Sequence, residues 1–223
     1  MSISENLIKI KNNLPAGVKL AAVSKTHTVE EILEAYSTGH RCFAENKAQE
    51  LSAKYPQLPG DIEWHFIGHM QTNKVKFIAP FVSMIHSVDS LKLLQTINKE
   101  AAKNKRVISC LLQFHIAEED TKFGLLLEEA EELLASETYA ALHNIRIAGI
   151  MGMATFTDDL NQVRREFRHL KLIFDVLKEK YFRNDPAFCE ISMGMSDDYQ
   201  IAIEEGSTLV RIGSSIFGSR VYQ

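Results

Sequence analysis

A closed (β/α)8 barrel of eight parallel strands (the α/β TIM-barrel class), preceded by one extra helix, is the fold that the sequence predicts. Three observations predict it. Short β-branched apolar runs alternate along the whole chain with longer segments of helical spacing. The short runs are nearly continuous in apolar character, as strands covered on both faces are. The chain has 223 residues, between the compact limit of about 200 and the typical about 250 for such barrels. The barrel therefore uses residues 1–223 as a single domain, with nothing left over for a second. An open doubly wound sheet fits less well, because Ser-Lys-Thr and not a glycine-rich phosphate loop follows the first strand.

In order, the extra helix covers about residues 5–13, followed by a strand at 18–25 and a helix at 29–37. The second strand is 41–45 with a helix at 47–55, the third 62–67 with a helix at 73–79. The fourth is 82–87 with a helix at 90–102, and the fifth 106–114 with a helix at 125–135. The sixth, 146–149, leads into the strongest helix of the chain. In that helix Leu160, Val163, Phe167, Leu170, Phe174, Leu177 and Tyr181 follow a strict three-four spacing, which puts them on one face. Asp158 and Asp159 at its start, with Lys178 and Lys180 near its end, suit the helix dipole. The seventh strand is 187–192 with a helix at 198–205, and the eighth is 208–212. All five prolines fall in connections, where they break no element.

Composition excludes several function classes. Twenty-five Lys+Arg against 29 Asp+Glu leave a net charge of −4, without the basic character of nucleic-acid binders. Apolar residues at 45% and charged residues at 24% exclude wholesale disorder. The apolar runs are too short to cross a bilayer, and the first residues lack the basic-then-apolar pattern of a secretory signal. Three cysteines, Cys42, Cys110 and Cys189, sit in apolar stretches and read as buried free thiols of a cytoplasmic protein. The lack of an obvious apolar surface face favours a monomer.

Barrel chemistry sits at the carboxyl ends of the strands. Those positions hold Lys25, Glu45-Asn46, Gly68-His69, Ser87 with Asp89, Met151-Gly-Met153, Ser192-Met-Gly194, and Arg211 with Gly213-Ser-Ser215. Lys25 closes an apolar strand, where partial desolvation lowers an amine's pKa and makes it a nucleophile towards aldehydes; the alternative is a strand-end lysine that snorkels into water. Ser192-Met-Gly-Met-Ser196 and Gly213-Ser-Ser215 supply the strand-seven and strand-eight halves of a barrel phosphate site. Arg211, inside an apolar strand, needs a partner: a carboxylate such as Glu45 or Glu190, or a ligand ring nitrogen or anion. His65 and His69 straddle a strand end and a glycine, so they share no helical face and read as no metal pair. No nucleophile-elbow pattern supports Ser-His-Asp chemistry.

A lysine amine, a phosphate cup and an arginine at one barrel mouth point to pyridoxal 5′-phosphate. The chain resembles the pyridoxal phosphate homeostasis proteins (the YggS/PROSC type), themselves similar to the N-terminal barrel of alanine racemases. The resemblance rests on Ala22-Val-Ser-Lys-Thr26, Glu45-Asn46 with Gln49-Glu50, Trp64-His-Phe-Ile-Gly-His-Met-Gln-Thr-Asn-Lys74 and His86-Ser-Val-Asp-Ser90. It continues through Lys122-Phe-Gly124, Gly149-Ile-Met-Gly-Met-Ala154, Ser192-Met-Gly-Met-Ser-Asp197 and residues 206–218. It implies that Lys25 forms the internal aldimine, that Ser192, Gly213 and Ser214 hold the phosphate, that Arg211 faces the pyridine nitrogen, and that Asn46 lies beside the ring. Ala44 stands where the family usually has glycine, and Ser214 where it usually has threonine, which keeps the hydroxyl.

The resemblance implies a role in intracellular pyridoxal phosphate (vitamin B6) balance, with amino acids and pyridoxal-phosphate-dependent apoenzymes as further partners. An arginine opposite the pyridine nitrogen disfavours its protonation and weakens the ring as an electron sink. Racemisation also needs a second base on the opposite substrate face, for which the chain has no second domain. The expectation is a carrier without catalytic residues. Its rivals are a pyridoxal-phosphate-dependent amino-acid racemase and a cofactor-free Schiff-base aldolase.

Overall fold

The computed structural model describes residues 2–118 and 123–218. Its strands are β1 (Lys19–Val23), β2 (Cys42–Glu45), β3 (Glu63–Phe66), β4 (Met84–Val88), β5 (Ile108–Gln113), β6 (Ile145–Met151), β7 (Glu190–Ser192) and β8 (Leu209–Ile212). They pair in parallel in sequence order, and β8 returns to β1 to close the barrel, with Lys19 to Ala22 in register with Leu209 to Ile212. Helices α1 (Ile3–Asn13), α2 (Val29–Ser37), α3 (Ala48–Lys54), α4 (Val75–Ile78) and α5 (Leu91–Lys103) belong to the first half. The second half adds α6 (Leu127–Ala135), α7 (Glu137–Ala140), α8 (Leu160–Tyr181), α9 (Tyr199–Glu204) and α10 (Ser214–Phe217). The predicted (β/α)8 barrel with a helix at its N-terminus is the observed fold.

Local chemistry explains where the boundaries moved. The extra helix starts earlier than expected because Ser2 and Glu5 exchange side-chain and backbone hydrogen bonds in a capping box. Asn6 Nδ2 donates to the Ile216 carbonyl at 3.0 Å, fastening α1 to α10. Strand β6 runs past Gly149, which reads as a stop in sequence. Here the missing Cβ lets the Glu190 carbonyl approach, at a point where a Cβ would stand 1.9 Å from that oxygen. Two short helices, α7 and α10, stand where the sequence pattern predicts no element.

On α8 the expected stripe is shifted in the first turn and near the middle. Val163, Phe167, Leu170 and Leu177 are buried as expected, but Leu160 is exposed in the first turn and Ile173 is buried deeper than Phe174. Glu166 is also buried on that face. It accepts from the Thr155 and Glu118 backbone N–H groups at 2.6 and 3.1 Å, and so ties the loops after β5 and β6 to the helix.

The core has two layers. The outer one fills the space between strands and helices with large apolar groups such as Phe43, Trp64, Ile85, Phe167 and Phe188. The inner one, inside the barrel, is built around small side chains, Ala21 and Ala44 on one side and Ala148 on another, with Leu111, Met151 and Leu209. Alternating residues of a strand point to opposite faces, so the inward series also includes His65, His86, Ser192 and Arg211. The alanines leave the volume that these polar groups occupy.

Candidate functional site

At the carboxyl mouth lies a cavity of about 420 Å³ lined among others by Val23, Lys25, Asn46, Arg211, Gly213 and Ser214. Among the described residues, Lys25 is the one lysine on its wall. His27, His69, Met153 and the loop after β7 (Met195, Ser196, Asp197) complete the rim. Gly68 joins the wall because its Cα lies against the Asn46 backbone, where a Cβ would stand 2.1 Å from the carbonyl oxygen.

Lys25 does not close the strand, as the sequence reading had it. Strand β1 ends at Val23, and Lys25 stands in the turn beyond it, half-buried. That turn is clamped from below. Ser24 Oγ donates to Glu45 Oε1 at 2.6 Å, and Lys54 Nζ donates to Glu45 Oε1, Glu50 Oε1 and the Ser24 carbonyl at 2.8, 2.7 and 2.9 Å. Glu50 Oε1 also accepts from the Thr26 N–H at 2.6 Å. Thr26 is thereby held at a φ of 68°, a left-handed conformation uncommon for a β-branched residue. Burial pushes the Glu45 carboxyl above its ordinary range, against the pull of Lys54.

Arg211 is buried and has no carboxylate within 4 Å among the described residues. Both of its expected partners are engaged elsewhere: Glu45 with Lys54, and Glu190 with Lys19 and Thr208. Its Nη1 instead donates to the Ser192 carbonyl and to Ser192 Oγ, each at 2.7 Å, and its Nη2 donates to the Gly152 carbonyl at 3.1 Å. Desolvation lowers its pKa to about 10, so at neutral pH the guanidinium stays charged. On the strand-eight side, Gly213 packs against β1, where a Cβ would meet the Val23 carbonyl oxygen at 3.1 Å, and its N–H points to Ser196 Oγ at 3.4 Å.

Five of the six residues singled out in sequence, Lys25, Asn46, Arg211, Gly213 and Ser214, thus come together on one wall. Ser192 does not: fully buried under the mouth, its hydroxyl lies between Arg211 and His86, and Ser196 takes the rim position of that loop. Lys122, in one of the matching motifs, lies outside the described residues. Sequence reasoning missed the Lys54 clamp, although the Glu50–Lys54 spacing of four on a helix was a legible signal for an ion pair. It also missed the barrel interior, where His86 and His65 stand 3.0 Å apart.

A larger cavity, about 760 Å³, opens at the amino end among Lys19, Cys42, Glu63, His65, Ser109 and Glu190. It is lined by two lysines, Lys11 and Lys19; Lys19 is largely exposed and ion-paired to Glu190, whose hydrogen bond raises its pKa and disfavours a nucleophilic amine. Strands begin at this end, so residues there are less covered. That corrects the expectation of three buried thiols: Cys110 is buried, Cys42 is half-buried and Cys189 is exposed.

The buried Asn46 Oδ1 on the mouth wall has no hydrogen-bond partner among the described residues, as an atom facing a ligand would not. An amine, a buried guanidinium, a glycine-serine turn and an amide around one cavity suit a small anionic aldehyde with a hydrogen-bonding ring. This is the class of alanine-racemase-type barrels, and the family model described as "Alanine racemase, N-terminal domain" matches residues 1–221. The pyridoxal phosphate homeostasis protein of Aquifex aeolicus (strain VF5) is 41% identical over 92% of this chain and 88% of its own length. That of Escherichia coli (strain K12) is 33% identical over 99% and 97%. The chain belongs to the pyridoxal phosphate homeostasis protein family. Among solved structures, PipY of Synechococcus elongatus PCC7942 with pyridoxal phosphate bound superposes with a TM-score of 0.88 at 32% identity, covering 97% of this chain and all of that one. Alanine racemase of Clostridium difficile 630 shares the fold, with a TM-score of 0.76 at 16% identity, but this chain spans only 58% of it.

Proposed function

We propose that the chain binds pyridoxal 5′-phosphate at the carboxyl mouth, carries its aldehyde as a Schiff base on Lys25, and serves intracellular balance of this cofactor rather than turnover of amino acids. The observation that carries the reading is the convergence of Lys25, Asn46, Arg211, Gly213 and Ser214 on one cavity that holds no other lysine among the described residues. Lys25 would supply the amine for the aldehyde, a C=N bond replacing C=O as water leaves. Gly213 and Ser214, with Ser196 beside them, would hold the phosphate, Arg211 would serve the pyridine nitrogen, and Asn46 Oδ1 would serve the ring. Ser192 acts beneath the mouth by holding Arg211 instead of reaching the phosphate. The bound group supplies a reactive aldehyde and an electron-withdrawing ring. A charged guanidinium at the ring nitrogen weakens that withdrawal, which favours holding the cofactor over chemistry on an amino acid.

This reading takes residues 1–223 as one cofactor-binding domain, monomeric and cytoplasmic, with amino acids and pyridoxal-phosphate-dependent apoenzymes as partners. No helix of the described residues is long and apolar enough to cross a membrane. Borohydride reduction of the loaded protein followed by peptide mapping tests the site. The expected adduct is on Lys25, and Lys25→Ala abolishes the visible absorbance; an adduct on another lysine, with none on Lys25, overturns it.

An amino-acid racemase is the second reading, and one observation favours it. His69, stacked on Phe123 with Nδ1 3.6 Å from Asp89 Oδ2, lines the same cavity and offers a base. It predicts exchange of the α-proton of an added amino acid in deuterated buffer, which the carrier reading predicts to be absent.

A further inference from the structure

A column of polar groups runs down the barrel axis from the mouth to the amino-end cavity. Arg211 Nη1 lies 2.7 Å from Ser192 Oγ, and Ser192 Oγ lies 3.0 Å from His86 Nδ1. His86 Nε2 lies 3.0 Å from His65 Nδ1, and the His65 ring lies 3.7 Å from Cys42 Sγ. Ser192 and His86 are fully buried and His65 nearly so. We infer that His86, backed by His65, is a positioning residue for the Arg211 guanidinium, acting through the Ser192 hydroxyl. It fixes which N–H groups of Arg211 remain for the ligand in the mouth.

The order of hydrogens follows from what each group can do. A guanidinium only donates, so Ser192 Oγ accepts from Arg211. The serine's own hydrogen then needs an acceptor. Among the described residues the one at hydrogen-bond distance is His86 Nδ1. A His86 that accepts at Nδ1 carries its hydrogen on Nε2 and donates it to His65 Nδ1, so His65 is also the Nε2–H form, turned towards Cys42. In the reverse order the Ser192 hydrogen is buried without an acceptor, at a cost of about 1–3 kcal/mol. Both imidazoles stay neutral. Burial holds His65 near a pKa of about 4, and burial, then His65 and Arg211, hold His86 well below its ordinary value.

The consequence lies at Arg211. Of its five N–H hydrogens, both on Nη1 go to Ser192 and one on Nη2 goes to Gly152. The second Nη2 hydrogen and the Nε hydrogen are left for the cavity. A serine whose lone pair faces Nη1, because its hydrogen is committed to His86, keeps the guanidinium plane from turning. For the ligand the inference rests on the pyridoxal phosphate reading; the hydrogen order rests on geometry alone.

Two measurements separate the inference from that reading. In the cofactor-free full chain, ¹⁵N-resolved histidine spectra are expected to show His65 and His86 neutral with hydrogen on Nε2 at neutral pH. A His86 protonated on Nδ1, or on both nitrogens, overturns the hydrogen order whether or not the cofactor binds. Pyridoxal phosphate titrations of folded variants then read the effect on Arg211. His86→Leu and Ser192→Ala are expected to weaken retention about three- to tenfold, one hydrogen bond's worth, and to shift the visible band. His86→Asn, whose amide oxygen can take the place of Nδ1 as acceptor, restores most of both. Equal affinity and an unchanged band in Ser192→Ala, or no difference between His86→Leu and His86→Asn, overturns the positioning role. A parent protein that binds no pyridoxal phosphate overturns the functional reading but leaves the histidine spectra as expected.

Discussion

The molecule buries two cations beside the same mouth and treats them in opposite ways. Lys54 meets two carboxylates, Glu45 and Glu50, and its three donors are all taken up by protein oxygens. Arg211 meets only carbonyls and a hydroxyl, with N–H groups left over. A cation that serves the fold is neutralised where it stands, since a buried charge is tolerable only when paired and hydrogen-bonded. A cation that serves a ligand keeps its charge and part of its hydrogen-bonding capacity for that ligand. The difference suits Lys54 to holding the Lys25 turn and, on the proposed reading, Arg211 to recognition.

Stability separates the two most sharply. Lys54→Met leaves Glu45 as an unpaired buried carboxylate and is expected to lower the unfolding free energy by about 3–5 kcal/mol. Arg211→Met takes the donor from the Gly152 carbonyl and the Ser192 hydroxyl oxygen, while the Ser192 carbonyl keeps the Gly152 N–H and no carboxylate is stranded, so about 1–3 kcal/mol is expected, together with loss of cofactor retention. Urea denaturation of the cofactor-free proteins measures both. Equal losses would break the contrast.

Acid tests the same contrast with opposite signs. His40 and His65 are held near pKa values of about 4, chiefly by burial, and His86 well below its ordinary 6.5. Their folded values lie below the unfolded one, so the stability they contribute is complete above about pH 6.5 and is lost as pH falls towards about 4. Each contributes a slope of up to about 1.4 kcal/mol per pH unit in that window. Glu45 is shifted the other way: its folded pKa is raised, so its contribution is full below the unfolded value and is lost as pH rises through the folded one. Falling pH therefore undermines the imidazoles and spares the clamp. Urea midpoints between about pH 7 and about pH 5 should show the decline, and His40→Gln should reduce its slope by one proton.

Much of this was legible in the chain. Alternating periods gave all eight strands, because strands buried on both faces and helices buried on one leave distinct patterns. Lys25, Arg211, Gly213 and Ser214 could be named because the carboxyl ends of barrel strands are where polar residues converge, and Asn46 because the family resemblance implies it. What escaped was depth. Lys54 looks like an ordinary solvated helix lysine until Glu45 is placed beneath it, and strand periodicity does not say that Ala21, Ala44 and Ala148 hollow the barrel for His65 and His86. Ser192 was assigned to the rim for the same reason: position along a strand is readable in sequence, but height above the barrel floor depends on how the strands stagger.

The smallest effect concerns Thr26, where the clamp meets the reactive turn. Its φ of 68° costs a β-branched residue about 1–2 kcal/mol, and its side chain is exposed. Thr26→Gly removes that strain but gives the unfolded chain more freedom, a loss of about 0.5–1 kcal/mol. The Thr26 N–H bond to Glu50 belongs to the backbone and survives the change. The two opposing quantities predict a net gain of up to about 1.5 kcal/mol in thermal or urea unfolding, with Lys25 still loaded by the cofactor. A gain would show that the clamp holds the turn against its own preference, through the single hydrogen bond to Glu50. A loss larger than about 1 kcal/mol would show that the threonine side chain stabilises the turn, and that Lys54 and its carboxylates do not position Lys25 by themselves.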